Sequence, residues 1–470
     1  MTESYDAIVI GAGQAGPPLA VRLAEAGYRT VLIERRALGG TCVNDGCMPT
    51  KTLVASARVA HLTRTAKDFG LSAGDVAVDM SAVRARKDAI IAASRASLQR
   101  WIDGTDKLDL IRGEARFVGP REVAIGAQRL TAPRIFINTG GRPALPNWPG
   151  LDRVPFLTSE TVMDLGAVPG HLVIAGGSYI GLEFAQMFRR FGAQVTILEA
   201  ADRLVAREDP DISAAIAEML RAEGIATHTG VREVSVAPTR SGIQVTVGFG
   251  ARVLLDHGTH LLVATGRRPN VEALDPARAG IALDARGFIA VDDQLRTSAD
   301  GVWALGDVHG RGGFTHTSYN DFEIVTANLL DGEDRRISER VPAYALFTDP
   351  PLARIGMSES QALQSGRPVL RGFMPMSQVG RARERGESFG FMKVLVDAQT
   401  RGILGAAFLG IEADEAIHVL LVAMAAGMTV DELRRVVAIH PTVSELVPTL
   451  LAALRPLDPA ANPERMASIT

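Results

Sequence analysis

Tyr5-Asp6-Ala7-Ile8-Val9-Ile10-Gly11-Ala12-Gly13-Gln14-Ala15-Gly16 opens the chain with a short apolar run that halts at three spaced glycines. An apolar run of this length, closed by a glycine loop, reads as a buried strand. The residues that follow, through Leu23 and Ala26, read as a helix, and a second apolar run, 30–33, ends on Glu34. Strand, glycine turn, helix, strand and terminal acid, in that order, make a dinucleotide-binding fingerprint. One glycine forms the tight turn, one lets the backbone approach a pyrophosphate, and one packs helix on strand. The free amides at the helix start then face the phosphates.

The same arrangement returns in the apolar run 172–175, Gly176-Gly177-Ser178-Tyr179-Ile180-Gly181, a helix through Phe188, the run 195–198 and Glu199. The offset from Gly176 to Glu199 equals that from Gly11 to Glu34. Only Ser178, in place of a glycine, breaks the correspondence. Two such units imply two dinucleotides, because each crevice at the strand ends holds one. A single-cofactor dehydrogenase is thereby excluded. Further apolar runs end in Asn138-Thr139-Gly140, Ala264-Thr265-Gly266 and Gly306-Asp307.

The chain's 470 residues, 47% hydrophobic and 22% charged, suffice for about three domains. The expected fold is α/β: two Rossmann-like dinucleotide domains and a C-terminal α+β domain. The expected boundaries are 1–150 for the first part of the first domain, 151–270 for the second domain, and 271–340 for the return to the first. A third domain is expected over 341–455 and a frayed tail over 456–470. Within the third, residues 393–396 and 403–409 read as strands, and 415–426 and 430–437 as helices. A net charge of -3 offers no basic field for nucleic acid. No apolar run reaches membrane-spanning length, so no membrane partner is expected and the cytoplasm is the default compartment.

The chain has two cysteines, both in Gly39-Gly40-Thr41-Cys42-Val43-Asn44-Asp45-Gly46-Cys47-Met48-Pro49-Thr50-Lys51. A disulfide needs Cα atoms about 4.4–6.8 Å apart, too close for this spacing in an extended strand and awkward in a regular helix. Asn44-Asp45-Gly46 supplies turn chemistry to fold the loop back. Pro49 suits a first helical turn, which sets Cys47 at a helix N-terminus, where free amides favour a thiolate. Two buried cysteines that merely pack are the bland alternative.

This segment resembles the active-site signature of the class I pyridine nucleotide-disulfide oxidoreductases, the family of glutathione reductase, dihydrolipoamide dehydrogenase and mercuric reductase. The resemblance runs from Tyr5 to about Leu451. It implies FAD at the first fingerprint, NAD(P)H at the second, and a homodimer formed through the C-terminal domain. Gly11, Gly13, Gly16, Glu34, Gly40, Thr41, Thr139, Gly140 and Asp307 match FAD positions. Gly176, Ser178, Gly181, Glu199 and Gly266 complete the cofactor-binding set. Lys51 and Glu183 match an ion pair beside the flavin. Cys47 is the implied flavin-side sulfur and Cys42 the substrate-side one. Ala438-Ile439-His440-Pro441-Thr442-Val443-Ser444-Glu445 resembles the segment whose histidine serves the partner subunit's thiols, with Glu445 orienting His440. Imidazole titrates in the range such proton exchange needs.

Glu199 would bind ribose hydroxyls and repel a 2′-phosphate, which favours NADH. Arg203 and Arg207, just downstream, are the alternative partners for a phosphate. The segments around Pro17-Pro18, Gly40 to Lys51 and Phe347-Thr348-Asp349-Pro350-Pro351 look closest to mercuric reductase and its relatives, among them a bacterial flavoprotein of reactive-chlorine resistance that reduces copper(II). Mercuric reductase adds a C-terminal cysteine pair, and this chain has no cysteine beyond Cys47. That enzyme also has a tyrosine where His440 stands, whereas Ala438 departs from dihydrolipoamide dehydrogenase. The expected activity is reduction of a soft metal ion or small electron acceptor, with no resident metal. The alternatives are a dithiol–disulfide reductase such as dihydrolipoamide dehydrogenase, and a non-catalytic redox-sensing flavoprotein.

Overall fold

A five-stranded parallel sheet carries the first glycine turn. Its strands run Val302–Ala304, Arg134–Ile137, Ala7–Ile10, Thr30–Glu34 and Leu108–Arg112. The computed structural model describes residues 2–250 and 252–458. Ala7–Ile10 is central and buried throughout, as a strand covered on both faces must be. Val302–Ala304 comes from far along the chain, so the first unit closes only after the second has been inserted. Helices Gly16–Glu25 and Thr315–Leu330 pack against each other beside this sheet.

The second unit repeats the plan with four parallel strands in the order Ala226–His228, Gln194–Leu198, His171–Ala175 and His260–Val263. Each unit carries a smaller sheet: Thr2–Ser4, Gln128–Thr131, Glu122–Ile125 and Ala115–Gly119 in the first, and Glu233–Pro238, Ile243–Phe249 and Arg252–Gly258 in the second. The third unit is a six-stranded antiparallel sheet in the order Ala343–Leu346, Leu352–Gly356, Ile403–Leu409, Phe391–Asp397, Val369–Pro375 and Arg455–Pro456. The α/β fold with two Rossmann-like units and a C-terminal α+β unit is as expected.

Three local expectations are corrected. The helix expected over 415–426 is broken into Ala413–Ala416 and His418–Ala425. The helix expected over 430–437 stops at Leu433, because Val436, Val437 and Ile439 face outward and supply no buried stripe to prolong it. Pro456, the first residue of the tail expected to fray, is instead paired with Leu370. The rest of that tail, residues 459–470, lies outside the described residues.

One apolar core spans all three units. Leu53 and Ala57 of the cysteine helix pack with Leu182, Phe184 and Phe188 of the second unit and with Leu346, Leu352 and Leu409 of the third. Buried ion pairs cross the same junction: Arg354 meets Glu208 and Asp209, each at 2.7 Å, and Lys393 meets Asp209 at 2.8 Å. The cysteine helix is therefore fixed against both neighbouring units.

Candidate active site

The carboxyl ends of the first sheet open on a cavity of about 1220 Å³, lined by Gly11, Gly13, Glu34, Cys42, Cys47, Thr139, Gly140 and Asp307 among others. Drug-sized ligands occupy roughly 300–1,000 Å³, so this space takes something larger. Gly11 has φ +102°, and a Cβ there would come within 2.3 Å of the Asn138 carbonyl oxygen. No other residue type makes this turn. Glu34 accepts hydrogen bonds from the amides of Ala12 at 2.8 Å and Arg36 at 2.7 Å, so its carboxylate braces the turn while it faces the cavity. Asp307 lies deep in the protein, yet about 31% of its side chain is open to the cavity. Burial raises its pKa against the pull of Arg267, whose Nε stands 3.8 Å away. A turn whose glycines bring bare backbone to the cavity, a braced acid and a deep carboxylate facing the same extended space fit FAD.

The turn expected between the cysteines falls at Asp45 and Gly46, where the backbone breaks between one helical turn, Gly40–Asn44, and a helix that runs from Cys47 to Arg64. Asn44 closes that helical turn by donating from Nδ2 to the carbonyls of Leu38 at 3.0 Å and Gly40 at 2.8 Å. Cys47 is the first helical residue and Pro49 falls in the first turn. The break brings the two sulfurs together, because a continuous helix would carry Cys42 and Cys47 apart around its axis.

Cys42 and Cys47 stand as thiols in hydrogen-bonding contact, each with a different proton affinity. The hydrogen bond that Cys42 donates is the main cause that lowers Cys47 to about 6; burial opposes it, while the Thr315 hydroxyl and the Lys51 charge assist. Cys42 is pushed well above the ordinary thiol range by that same bond and by burial. Thr315 Oγ1 lies 3.1 Å from Cys47 Sγ. Lys51 Nζ reaches Glu183 Oε2 at 2.6 Å, and the other oxygen of Glu183 accepts from the Phe347 amide at 3.0 Å. The Lys51 ammonium also sits 4.6 Å over the Phe347 ring. In this reduced, dithiol state one sulfur carries the negative charge and the other carries the proton.

The second glycine turn is built like the first. Gly176 has φ +117°, and an added Cβ would meet the Ala264 carbonyl oxygen at 2.3 Å. Glu199 accepts from the amides of Gly177 at 2.6 Å and Ala201 at 2.7 Å. Ser178 is extended, at φ -115° and ψ -171°, and exposed. Gly181 is buried in the helix Tyr179–Phe191, and Gly266 has open space around its α-carbon. Arg203 is exposed and donates to the carbonyls of Ala206 at 3.0 Å and Glu208 at 3.1 Å. Arg207 is exposed.

His440 is not brought to the thiols of its own chain. Its Nδ1 is 2.9 Å from Glu445 Oε2, its side chain is 81% exposed, and neither residue lines the cysteine cavity. Val437 and Ile439 beside it are 94% and 80% exposed. Sequence reasoning missed Thr315, which carries no motif, and gave no role in the site to Phe347, whose segment it quoted; both reach the site from distant elements. Among the described residues no three imidazole, thiol or carboxylate groups converge to hold a metal ion, and no helix is long and apolar enough to cross a membrane.

Comparison with known proteins matches residues 5–321 to the pyridine nucleotide-disulphide oxidoreductase family and residues 342–451 to the dimerisation domain of that family. The probable pyridine nucleotide-disulfide oxidoreductase RclA of Escherichia coli (strain K12) is 38% identical over 463 residues, covering 96% of this chain and 99% of that protein. Mercuric reductase of Lysinibacillus sphaericus is 33% identical over 447 residues, covering 94% and 81%. Dihydrolipoyl dehydrogenase of Thermus scotoductus (strain ATCC 700910 / SA-01) is 33% identical over 449 residues, covering 94% and 96%. Among solved structures, the Cu(II) complex of the HOCl-induced flavoprotein disulfide reductase RclA from Escherichia coli aligns with a TM-score of 0.87 at 36% identity, covering 96% of this chain and 99% of that one.

Proposed function

This chain belongs to the pyridine nucleotide-disulphide oxidoreductase family, as an enzyme that depends on FAD and uses NAD(P)H, and from that premise we propose that it uses NADH to reduce a soft metal ion or another small electron acceptor at Cys42 and Cys47. The observation that carries the reading is the setting of the two sulfurs: they share a hydrogen bond beside the Thr315 hydroxyl, 3.1 Å from Cys47 Sγ, and the Lys51–Glu183 pair, an arrangement that pulls Cys47 down to about 6 and pushes Cys42 up. FAD bound along the cavity supplies two-electron transfer between the nicotinamide and the dithiol. Thr315, Lys51 and the Cys42 thiol hold negative charge on Cys47. Glu183 keeps the Lys51 ammonium beside that sulfur. Cys42 meets the acceptor, and a pair of soft sulfurs suits copper or mercury ions over hard ones.

Cofactor preference follows from Glu199 and Arg203. The Glu199 carboxylate occupies the ribose end of the second fingerprint, and Arg203 spends its guanidinium on backbone carbonyls. A 2′-phosphate would meet an anion and no free cation from this arginine. The relatives support the choice of acceptor by their descriptions, as a mercuric reductase and as a flavoprotein solved with Cu(II).

A second reading, reduction of a small disulfide, draws on His440 and Glu445 at 2.9 Å. In a homodimer the partner subunit's His440 would take the proton of Cys42 as that sulfur attacks the disulfide and return it to the sulfur that leaves. Rates of NADH oxidation with copper(II), mercuric ion, lipoamide and a quinone separate the readings. Turnover with a metal ion should exceed that with lipoamide, and turnover with lipoamide alone would overturn the metal reading. Addition of NADH should raise a long-wavelength absorbance that Cys47→Ser abolishes and Cys42→Ser retains. Persistence of the band in Cys47→Ser would reverse the roles of the sulfurs.

A further inference from the structure

Three residues beyond the recognised site converge where the first unit closes. After strand Val302–Ala304, the tight turn Gly306–His309 sends Asp307 toward the cavity and the His309 ring into the interior, where none of its side chain is exposed. Asp321, two turns along helix Thr315–Leu330, is 0% exposed. Its Oδ2 accepts from the Gly306 amide at 2.7 Å and from His309 Nε2 at 2.8 Å, and its Oδ1 accepts from Arg340. The carboxylate thus grips the residue before Asp307 and the residue two beyond it.

The hydrogen bonds settle where the imidazole proton lies. His309 Nδ1 is 3.1 Å from the Arg311 amide, a group that can only donate, so Nδ1 accepts and the proton resides on Nε2, directed at Asp321. Burial raises the pKa of Asp321, while the His309 hydrogen bond and the Arg340 charge and hydrogen bond pull it down. Arg340 is held in turn by Asn320 at 2.9 Å. A buried ion pair of this kind is weak support for stability and better suited to fixing one geometry.

Two features of the site hang on that geometry. The Gly306 α-carbon lies so close to Ser318 that an added Cβ would meet its hydroxyl at 2.7 Å, which presses the turn onto the same helix. The first residue of that helix, Thr315, contacts Cys47 Sγ at 3.1 Å. A shift of the helix would move Asp307 and the Thr315 hydroxyl together.

We propose that Asp321, with His309 as its neutral donor, is a positioning residue that aims the Asp307 carboxylate at the flavin and sets Thr315 against Cys47, so that flavin affinity and thiolate formation depend on one buried group. This rests on the reading of Asp307 as a flavin-side contact. The test measures FAD affinity of the full-length apoprotein by quenching of flavin fluorescence, beside the pH midpoint for alkylation of Cys47 by iodoacetamide in the Cys42→Ser background.

His309→Leu removes the donor at similar volume and should weaken FAD binding about tenfold, the scale of a lost charge-assisted hydrogen bond. His309→Gln can donate to Asp321 and accept from the Arg311 amide, and should restore affinity to within about threefold. Asp321→Asn should weaken FAD by about tenfold or more and move the alkylation midpoint upward. Should Asp321→Asn fail to fold, the two His309 variants decide. Wild-type affinity in a folded His309→Leu protein, with Asp307→Asn weakened, would overturn the positioning role alone. Unchanged affinity in Asp307→Asn would remove the flavin contact and the inference with it.

Discussion

The two glycine turns share a backbone and differ in what stands behind it. Behind the first, Asn138 donates from Nδ2 to the Leu305 carbonyl at 2.9 Å and accepts on Oδ1 from the Gly16 amide at 3.2 Å. One side chain thereby ties the turn to the strand end that leads into Gly306 and Asp307. Ala264 occupies the matching place behind the second turn, where its amide bonds to the preceding strand at 2.8 Å as Asn138 does at 2.7 Å. It has no side chain to tie anything. The third position follows suit: a Cβ on Gly13 would strike Asn138 Oδ1 at 2.8 Å, whereas Ser178 at the corresponding place stands exposed. A locked turn suits a ligand that stays, and an open one suits a ligand that comes and goes.

The harshest way to break the comparison is to add a methyl group at the first glycine of either turn. Gly11→Ala and Gly176→Ala each force a Cβ to within 2.3 Å of a carbonyl oxygen at positive φ. The expected loss is on the order of 3 kcal/mol of binding, roughly a hundredfold. Gly11→Ala should yield protein with little flavin, read from its absorbance after purification. Gly176→Ala should stay yellow and be reduced by dithionite but hardly by NADH. Loss of flavin in both would show that the turns are not independent.

Asn138→Ala tests the lock itself. It leaves the Leu305 carbonyl without its side-chain donor, at a cost of about 1–3 kcal/mol. FAD affinity should fall about tenfold and the melting temperature by several degrees, while KM for NADH is unchanged. A raised KM for NADH with normal FAD binding would contradict the division of labour.

How much of this was legible beforehand depends on distance along the chain. Both turns, their closing acids and the cysteine pair are local patterns, because the backbone requirement at Gly11 or Gly176 and the brace from Glu34 or Glu199 fall within one βαβ unit. Asn138 could be seen as the end of a strand, but its bond to Gly16 spans 122 residues and has no local signature. Thr315 lies 268 residues from the sulfur it touches, and the Phe347 amide lies 164 from Glu183. The overextended helix after Val430 had a physical cause too: Val436 and Val437 continue an apolar pattern, yet they face away from the core.

Glu34 and Glu199 make the same pair of backbone contacts, so neutralising them sharpens what charge adds beyond bracing. Glu199→Gln keeps the size of the acid and removes repulsion of a 2′-phosphate. The ratio of kcat/KM for NADH to that for NADPH should fall by about 1 kcal/mol, roughly fivefold. Arg203→Ala should leave the ratio alone, since its guanidinium is committed to carbonyls. A fall in NADPH use on losing Arg203 would reassign it as a phosphate contact.

Ser178 offers the smallest effect and the finest test. Ser178→Gly removes an exposed side chain from an extended backbone that any residue adopts, so stability should change by less than about 0.5 kcal/mol. The contrast appears in combination with Ala264→Asn, which places behind the second turn the amide that crowds Gly13 in the first. Alone, Ala264→Asn should raise KM for NADH because the new amide meets the Ser178 Cβ. Paired with Ser178→Gly it should recover, with a coupling of about 1 kcal/mol between sites in contact. Additivity of the two changes would mean that serine is not permitted there by the missing amide, and the tie between the third turn position and the residue behind it would be lost.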